Sequence, residues 1–164
     1  MGTQRSHRDQ LAAEVAHLAS ARGVSIGVAE SLTGGMVSAS LAAAEGASEW
    51  YRGAVVSYSS AVKHDLLEVP AGPVVSEQAA LAMVRRVRSL LGADVAAAVT
   101  GAGGPDPQDG CAPGTIYLGV ADATGERVVR RELHGEPEQV CVRAAEEVLE
   151  AIVAWLRSLP ATGD

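Results

Sequence analysis

An apolar run, Val24 to Ala29, passes through a polar turn holding Gly34 and Gly35 into a stretch of small residues from Met36 to Ala44. A run of that length bounded by turn residues reads as a buried strand, and the alanine-rich stretch behind it as a helix packed closely on a sheet. Such a unit needs a sheet whose faces are covered, which constrains the chain to an α/β architecture. The turn itself carries Glu30, Ser31, Leu32 and Thr33. A hydroxyl on a strand-to-helix turn, with glycines that permit close backbone approach and a helix N-terminus ahead, suits a bound phosphate or a developing oxyanion.

The remaining segments extend this pattern. Leu11, Val15 and Leu18 recur at helical spacing, and Gly23 stands where a helix C-cap is expected. Gly53 to Tyr58 forms a second strand, Ser60 to Leu67 a short helix, and Pro70 to Pro73 a break. Ser76 is placed to cap a helix whose apolar stripe is Ala80, Val84, Val87 and Leu91. Asp94 to Thr100 is a third strand, followed by a glycine-rich loop that reaches Pro113-Gly114. Loops of that length in compact domains are usually functional or mobile. Thr115 to Ala121 and Arg127 to Leu133 flank turn residues 122–126 as a hairpin, and Val140, Ala144, Val148 and Ile152 mark a last helix ending near Trp155. We therefore expect one α/β domain over residues 1–164, with helices on both faces of the sheet. The polar opening, 1–7, and the tail, 160–164, are expected to be disordered.

Composition narrows the partners. With aromatics at 3% and no Phe, the core must be built from Ala, Val, Leu and Ile. A net charge of −7 without a basic stripe argues against nucleic acid and against an anionic membrane. No signal peptide opens the chain and no run approaches the ~20 apolar residues of a membrane span, so a cytoplasmic location is expected. Cys111 and Cys141 form no CxxC pair, and His7, His17, His64 and His134 show no metal-ligand spacing. We expect no cofactor and no structural metal.

Each candidate residue carries two readings at this stage. Ser31 is a helix cap or a nucleophile, and Glu30 a first-turn carboxylate or a ligand contact. Lys63 enters a helix just after the strand that ends in Tyr58. It is either a solvated lysine or a desolvated one, whose pKa falls from ~10.4 toward neutrality so that it accepts the serine proton. Thr100, Gly101, Gly103 and Gly104 fit a lip to a small-molecule pocket better than a dinucleotide fingerprint, which needs a helix start here missing. Asp106 and Asp109 offer carboxylates to a metal with nothing to support them, and Cys111 is a nucleophile without a persuasive histidine. The oxyanion is expected over the N–H groups of Leu32, Thr33, Gly34 and Gly35, at the helix N-terminus.

Taken in order, five motifs resemble one known family. They are Ala29-Glu30-Ser31-Leu32-Thr33-Gly34-Gly35, Tyr58-Ser59-Ser60-Ala61-Val62-Lys63, Val75-Ser76-Glu77, Thr100 to Asp106, and Pro113-Gly114-Thr115. The pattern is similar to the C-terminal domain of the competence/damage-inducible protein CinA, which also occurs as a stand-alone nicotinamide-nucleotide amidohydrolase. The resemblance runs from the first helix to Trp155 and implies a three-layer α/β/α sandwich with a mixed sheet of about five strands. It implies metal-independent hydrolysis of the carboxamide of nicotinamide mononucleotide to nicotinic acid mononucleotide and ammonia. By that resemblance Ser31 is the nucleophile and Lys63 and Tyr58 supply the base. It also implies a homo-oligomer, dimeric or larger, and absence of the family's N-terminal molybdopterin-binding-like domain.

The chain departs from the family pattern in places. Ser60 replaces an asparagine, and Ala102-Gly103 a larger pair. Pro137 and Cys141 stand where the family carries arginines, which leaves Arg143 as the nearby candidate for a substrate phosphate. Three functions are therefore weighed: a nicotinamide mononucleotide amidase, an amidase on a non-phosphorylated carboxamide, and a non-catalytic nucleotide-binding or scaffold domain.

Overall fold

The computed structural model describes residues 4–162. Its first helix, α1 (His7–Arg22), is capped at its start by Ser6, whose hydroxyl accepts from the Asp9 N–H, and at its end by Gly23. The disorder expected over 1–7 is thus corrected at its inner end, because Ser6 and Asp9 satisfy each other's main-chain N–H groups there. At the other end, Thr162 donates to the Ala21 carbonyl. Residues 1–3 and 163–164 of the two expected disordered ends lie outside the described residues.

Ten further elements follow: β1 (Ile26–Glu30), α2 (Met36–Ala42), α3 (Ala47–Trp50), β2 (Tyr51–Val56), α4 (Ser60–Asp65), α5 (Glu77–Leu91), β3 (Val95–Gly101), β4 (Thr115–Ala121), β5 (Glu126–Glu132) and α6 (Pro137–Ser158). The strands form one sheet in the order β2-β1-β3-β4-β5. β1 lies parallel to both neighbours, while β3, β4 and β5 run antiparallel. The sheet is mixed and five-stranded, as expected, and the hairpin forms around the predicted turn. One element escaped the sequence pattern: α3 is a single turn that buries Trp50, and β2 starts two residues early, at Tyr51.

Helices cover both faces. On one side α1, α2 and α6 pack Val15, Leu41, Leu149 and Ile152 against Ile26, Val28, Val99 and Ile116. On the other, Met83, Val84 and Val87 of α5 meet Ala29, Ala96 and Ala98. Alanine on that face of the central strands lets the α5 backbone come close, which is how a core with few large residues stays dense. Every residue of β1 and β3 is buried, as befits central strands covered on both faces. Ligand chemistry in such sheets collects beyond the carboxyl ends of the parallel strands, where β1 gives way to Ser31 and β2 to Tyr58.

Candidate active site

β1 ends at Glu30, whose carbonyl accepts both the N–H of Ser57 (2.7 Å) and its hydroxyl (3.0 Å). These two hydrogen bonds from a fully buried serine tie the ends of the neighbouring strands together, so that Ser31 and Tyr58 leave the sheet side by side. Nothing in the local sequence distinguishes Ser57 from the polar residues that follow it.

The Glu30 side chain is fully buried and its carboxylate is saturated with donors. It accepts the Thr33 hydroxyl (2.6 Å), the Val37 N–H (3.0 Å) and the Ser38 N–H (2.9 Å). The carboxylate therefore sits in the first turn of α2 and answers its dipole from within the protein. This corrects two expectations. The Glu30 carboxylate is taken up by the fold, and the Val37 and Ser38 N–H groups that it occupies are not open to an anion. Thr33 is likewise held inward, by the bond to Glu30.

Ser31 is 6% exposed, and its hydroxyl has no hydrogen-bond partner among the described residues. The cap reading fails, because the N-cap of α2 is Gly35, at φ 105°, with no side-chain bond. Within the turn, the Gly34 N–H is taken by the Ser31 carbonyl (3.0 Å) and the Met36 N–H by the Thr33 carbonyl (3.0 Å). Gly34 is therefore corrected as an oxyanion donor; the N–H groups of Leu32, Thr33 and Gly35 have no partner among the described residues. The Leu32 carbonyl accepts the Cys141 thiol of α6 (3.2 Å), a tether that sequence reading treated only as a missing arginine. Burial pushes the Cys141 thiol up, favouring the protonated donor that this contact needs.

Lys63, the sole lysine of the chain, lies in α4, whose start is capped by the Ser59 hydroxyl. It is 2% exposed, so the solvated reading is excluded. Burial pushes its amine below the ordinary lysine range, and the negative charge of Asp109 acts in the opposite direction. Its Nζ donates to the main-chain carbonyl of Tyr58 (3.3 Å). The Tyr58 ring is 76% exposed, and its hydroxyl has no partner among the described residues. The lysine thus meets the backbone of Tyr58 and not its hydroxyl, and the tyrosine side chain points to solvent.

The glycine-rich loop borders this corner less directly than expected. The Thr100 hydroxyl is fixed on the Val74 carbonyl (2.5 Å). Gly101 is glycine because a Cβ there would stand 2.8 Å from the Thr115 carbonyl oxygen, so Thr100 and Gly101 serve the fold rather than a ligand. Gly103 faces Leu32, where an added Cβ would make an ordinary 3.7 Å contact, and Gly104 packs toward Pro113 and Pro137. The Asp109 carboxylate accepts the N–H groups of Val74 (2.8 Å) and Val75 (3.0 Å), and the Cys111 thiol approaches the Val75 carbonyl (3.8 Å). No group of three or more His, Cys, Asp or Glu gathers into a metal site among the described residues.

Arg143 does not reach this corner. Its guanidinium is bonded to Glu146, Glu147 and Glu150 along its own helix. Residues 141 and 143 point to different sides of a helix, so the face that meets Leu32 through Cys141 is not the one that carries Arg143. The expectation that it holds a phosphate is corrected accordingly. A groove of about 990 Å³ runs between α1 and α2–α3 past Ala12, Ala16, His17 and Ala43, and it contains none of the candidate residues. Among the described residues no helix is long and apolar enough to cross a membrane.

Comparison with known proteins agrees with this architecture. Residues 8–156 match the family described as the CinA C-terminal domain. A putative competence-damage inducible protein of Geobacillus kaustophilus is 40% identical over 76% of this chain and 31% of its own length. A CinA-like protein of Frankia casuarinae is 38% identical over 93% of this chain and 36% of its own. The chain thus spans about a third of these curated relatives. Among solved structures, the competence damage-inducible protein A (ComA) of Klebsiella pneumoniae superposes with a TM-score of 0.90 at 32% identity, covering 94% of this chain and all of that one. A CinA superfamily protein of Escherichia coli follows at 0.85 and 27%, covering 94% of each chain. The motifs, the sheet and these relatives lead to one assignment: the chain belongs to the CinA C-terminal domain family.

Proposed function

We propose that this protein is a serine amidohydrolase acting on the carboxamide of a pyridine nucleotide, with nicotinamide mononucleotide as the substrate implied by its family. The observation that carries the reading is a pair of buried side chains with no structural duty that accounts for both. Ser31, just past the end of β1, has a hydroxyl without a partner among the described residues, and Lys63, in the helix that follows the adjoining strand β2, has a desolvated amine. Burying a lysine is costly unless its charge is relinquished, and a neutral amine is a base.

In this scheme Lys63 Nζ takes the proton of Ser31 Oγ as the oxygen attacks the carboxamide carbon. The negative charge that develops on the carbonyl oxygen is met by the N–H groups of Leu32, Thr33 and Gly35, each worth about 3 kcal/mol by analogy with other oxyanion donors. Lys63 then gives the proton to the leaving nitrogen, ammonia departs, and water hydrolyses the acyl-serine ester. Glu30 holds the turn in shape, and the N–H groups it occupies are not available to substrate.

A second reading concerns the substrate's phosphate. Pro137 and Cys141 cannot grip an anion as arginine does, and Arg143 is engaged with three carboxylates. We therefore expect an unusually small preference for the mononucleotide over its riboside, with at most one to two decades of discrimination lost or gained by roughly 1.5–3 kcal/mol of phosphate contact. Ammonia release from nicotinamide mononucleotide, nicotinamide riboside and nicotinamide, measured on one preparation, tests both readings. Turnover of none of them by the folded protein would leave a non-catalytic domain. A preference for the mononucleotide above about a thousandfold would restore a phosphate site.

A further inference from the structure

The glycine-rich loop between β3 and β4 holds one residue in an unusual conformation for a purpose that the scheme above does not use. Asp109 lies at φ 51°, in the left-handed region that a non-glycine residue rarely enters. From there its Oδ2 accepts two consecutive main-chain N–H groups, those of Val74 and Val75, in the segment that leads from α4 to α5. That segment is held on both sides: the Val74 carbonyl takes the Thr100 hydroxyl, and the N–H of Val69 bonds to the carbonyl of Lys63 itself. The loop, the segment and the lysine helix thus form one connected unit, and Asp109 is the link that carries a charge.

We propose that Asp109 is a positioning residue for Lys63, pinning the glycine-rich loop to the Val74–Val75 segment and presenting a fixed negative charge to the lysine as it becomes an ammonium. The inference rests on the reading of Lys63 as the base. Its chemistry is specific. When the Ser31 proton moves to Lys63, a positive charge appears in a buried place, and a carboxylate in range stabilises it. Without Asp109 the amine would remain neutral over a wider range but would be a weaker base.

The other ionisable groups of the neighbouring elements are either engaged elsewhere or exposed. On its own helix, the His64 ring is bonded to the Val69 carbonyl, and Asp65 is exposed. Glu68 pairs with Arg86 of α5. Glu30 of β1 is saturated by α2 and Thr33, the Cys111 thiol faces the Val75 carbonyl, and Asp106 lies exposed in the loop. Of these carboxylates, Asp109 is the one whose charge is felt at the lysine.

Because Lys63 is the only lysine, its ε-methylene carbon can be titrated by NMR in protein labelled with carbon-13 lysine, without assignment. Asp109→Asn keeps an acceptor oxygen and a side chain that tolerates the left-handed conformation, so it removes the charge and spares the link. We expect its Lys63 midpoint to move to lower pH, and the acid limb of kcat/KM for amide hydrolysis to move the same way. In the wild type, raising salt should lower the midpoint, since the carboxylate is exposed and its charge is screened; in the Asn variant salt should have little effect. Should Asp109→Asn fail to fold, Asp109→Ser and the wild-type salt titration carry the test. An unchanged midpoint in a folded variant, or a wild-type midpoint indifferent to salt, overturns the proposal. A shifted midpoint in a protein that releases no ammonia would retain Asp109 beside Lys63 and remove the amidase reading instead.

Discussion

Lys63 Nζ donates to the main-chain carbonyl of Tyr58, 3.3 Å away, and leaves the tyrosine hydroxyl in solvent. A carbonyl cannot relay a proton, but it can orient an amine. The two residues are therefore expected to separate on mutation. Tyr58→Phe should change stability by less than about 0.5 kcal/mol, as exposed substitutions do. It should cost less than tenfold in kcat/KM, whereas Lys63→Ala should cost several orders of magnitude. Steady-state ammonia release reads both; a Phe variant as inactive as Lys63→Ala would mean that a neighbouring copy of the chain brings the hydroxyl to the site.

Ser31→Ala should abolish hydrolysis and leave folding unchanged. The hydroxyl caps nothing, so its removal leaves no partner unsatisfied among the described residues. Mass spectrometry of the wild type under turnover should show the acyl adduct on the peptide that contains Ser31. Residual turnover near the wild-type rate would assign attack to water.

The depressed pKa of Lys63 has a signature in stability. The folded chain releases this proton before the unfolded chain does, whose lysine keeps its ordinary value of 10.5. Between the two values the unfolded state holds more protons, so stability rises with pH. The cost of burying the ammonium is full below the folded value and absent above 10.5. Relative to Lys63→Met, the wild type should gain stability as pH is raised from neutrality toward 10.5, read by urea unfolding at each pH. Parallel curves for the two proteins would show that the amine is not desolvated.

Glu30→Ala should destabilise the fold by on the order of 3 kcal/mol, because it leaves two main-chain N–H groups and the Thr33 hydroxyl without their acceptor. Glu30→Gln, with a single acceptor oxygen, should fall between. Chemical denaturation is the measurement, and a loss below 1 kcal/mol for the alanine variant would show that water replaces the carboxylate at little cost.

Two glycines of the same loop should respond differently to alanine. At Gly114, φ 93°, the new Cβ would stand 1.9 Å from the Leu133 carbonyl oxygen, so Gly114→Ala should cost more than about 3 kcal/mol or prevent folding. At Gly110, φ 74°, the space is open, so only the backbone conformation is penalised, by about 1–2 kcal/mol. Thermal unfolding of the two variants distinguishes a close approach from a turn preference.

The sequence patterns that proved legible were local ones. Gly23, Ser76 and the 122–126 turn act within a few residues, and each caps or turns the chain where its chemistry says it should. The alternation of apolar and helical runs likewise reveals the layers. What escaped were bonds between distant segments. Nothing near Asp109 hints that its carboxylate would meet Val74, and nothing near Leu32 indicates a thiol from α6. Arg143 misled for a related reason. Its carboxylate partners lie three, four and seven positions along the same helix, where helical spacing could have exposed them. The one-turn helix α3 is too short to show a period at all.

The strand order carries a consequence for how the chain reaches its folded form. β3, β4 and β5 follow one another in sequence and pair as antiparallel neighbours, whereas β1 pairs with β2 through a crossover and joins the rest of the sheet only through β3, far along the chain, with Ile26 aligned to Val95. Contacts that close short loops form early and those that close long ones form late. The antiparallel meander with α5 against it is thus expected to nucleate first, and β1 to dock last. Ser31 leaves the sheet from that last strand, so a partly folded chain would carry every residue of the site and still have no site. Pulsed hydrogen exchange during refolding should protect the amides of β4 before those of β1, and activity should return only with the latter.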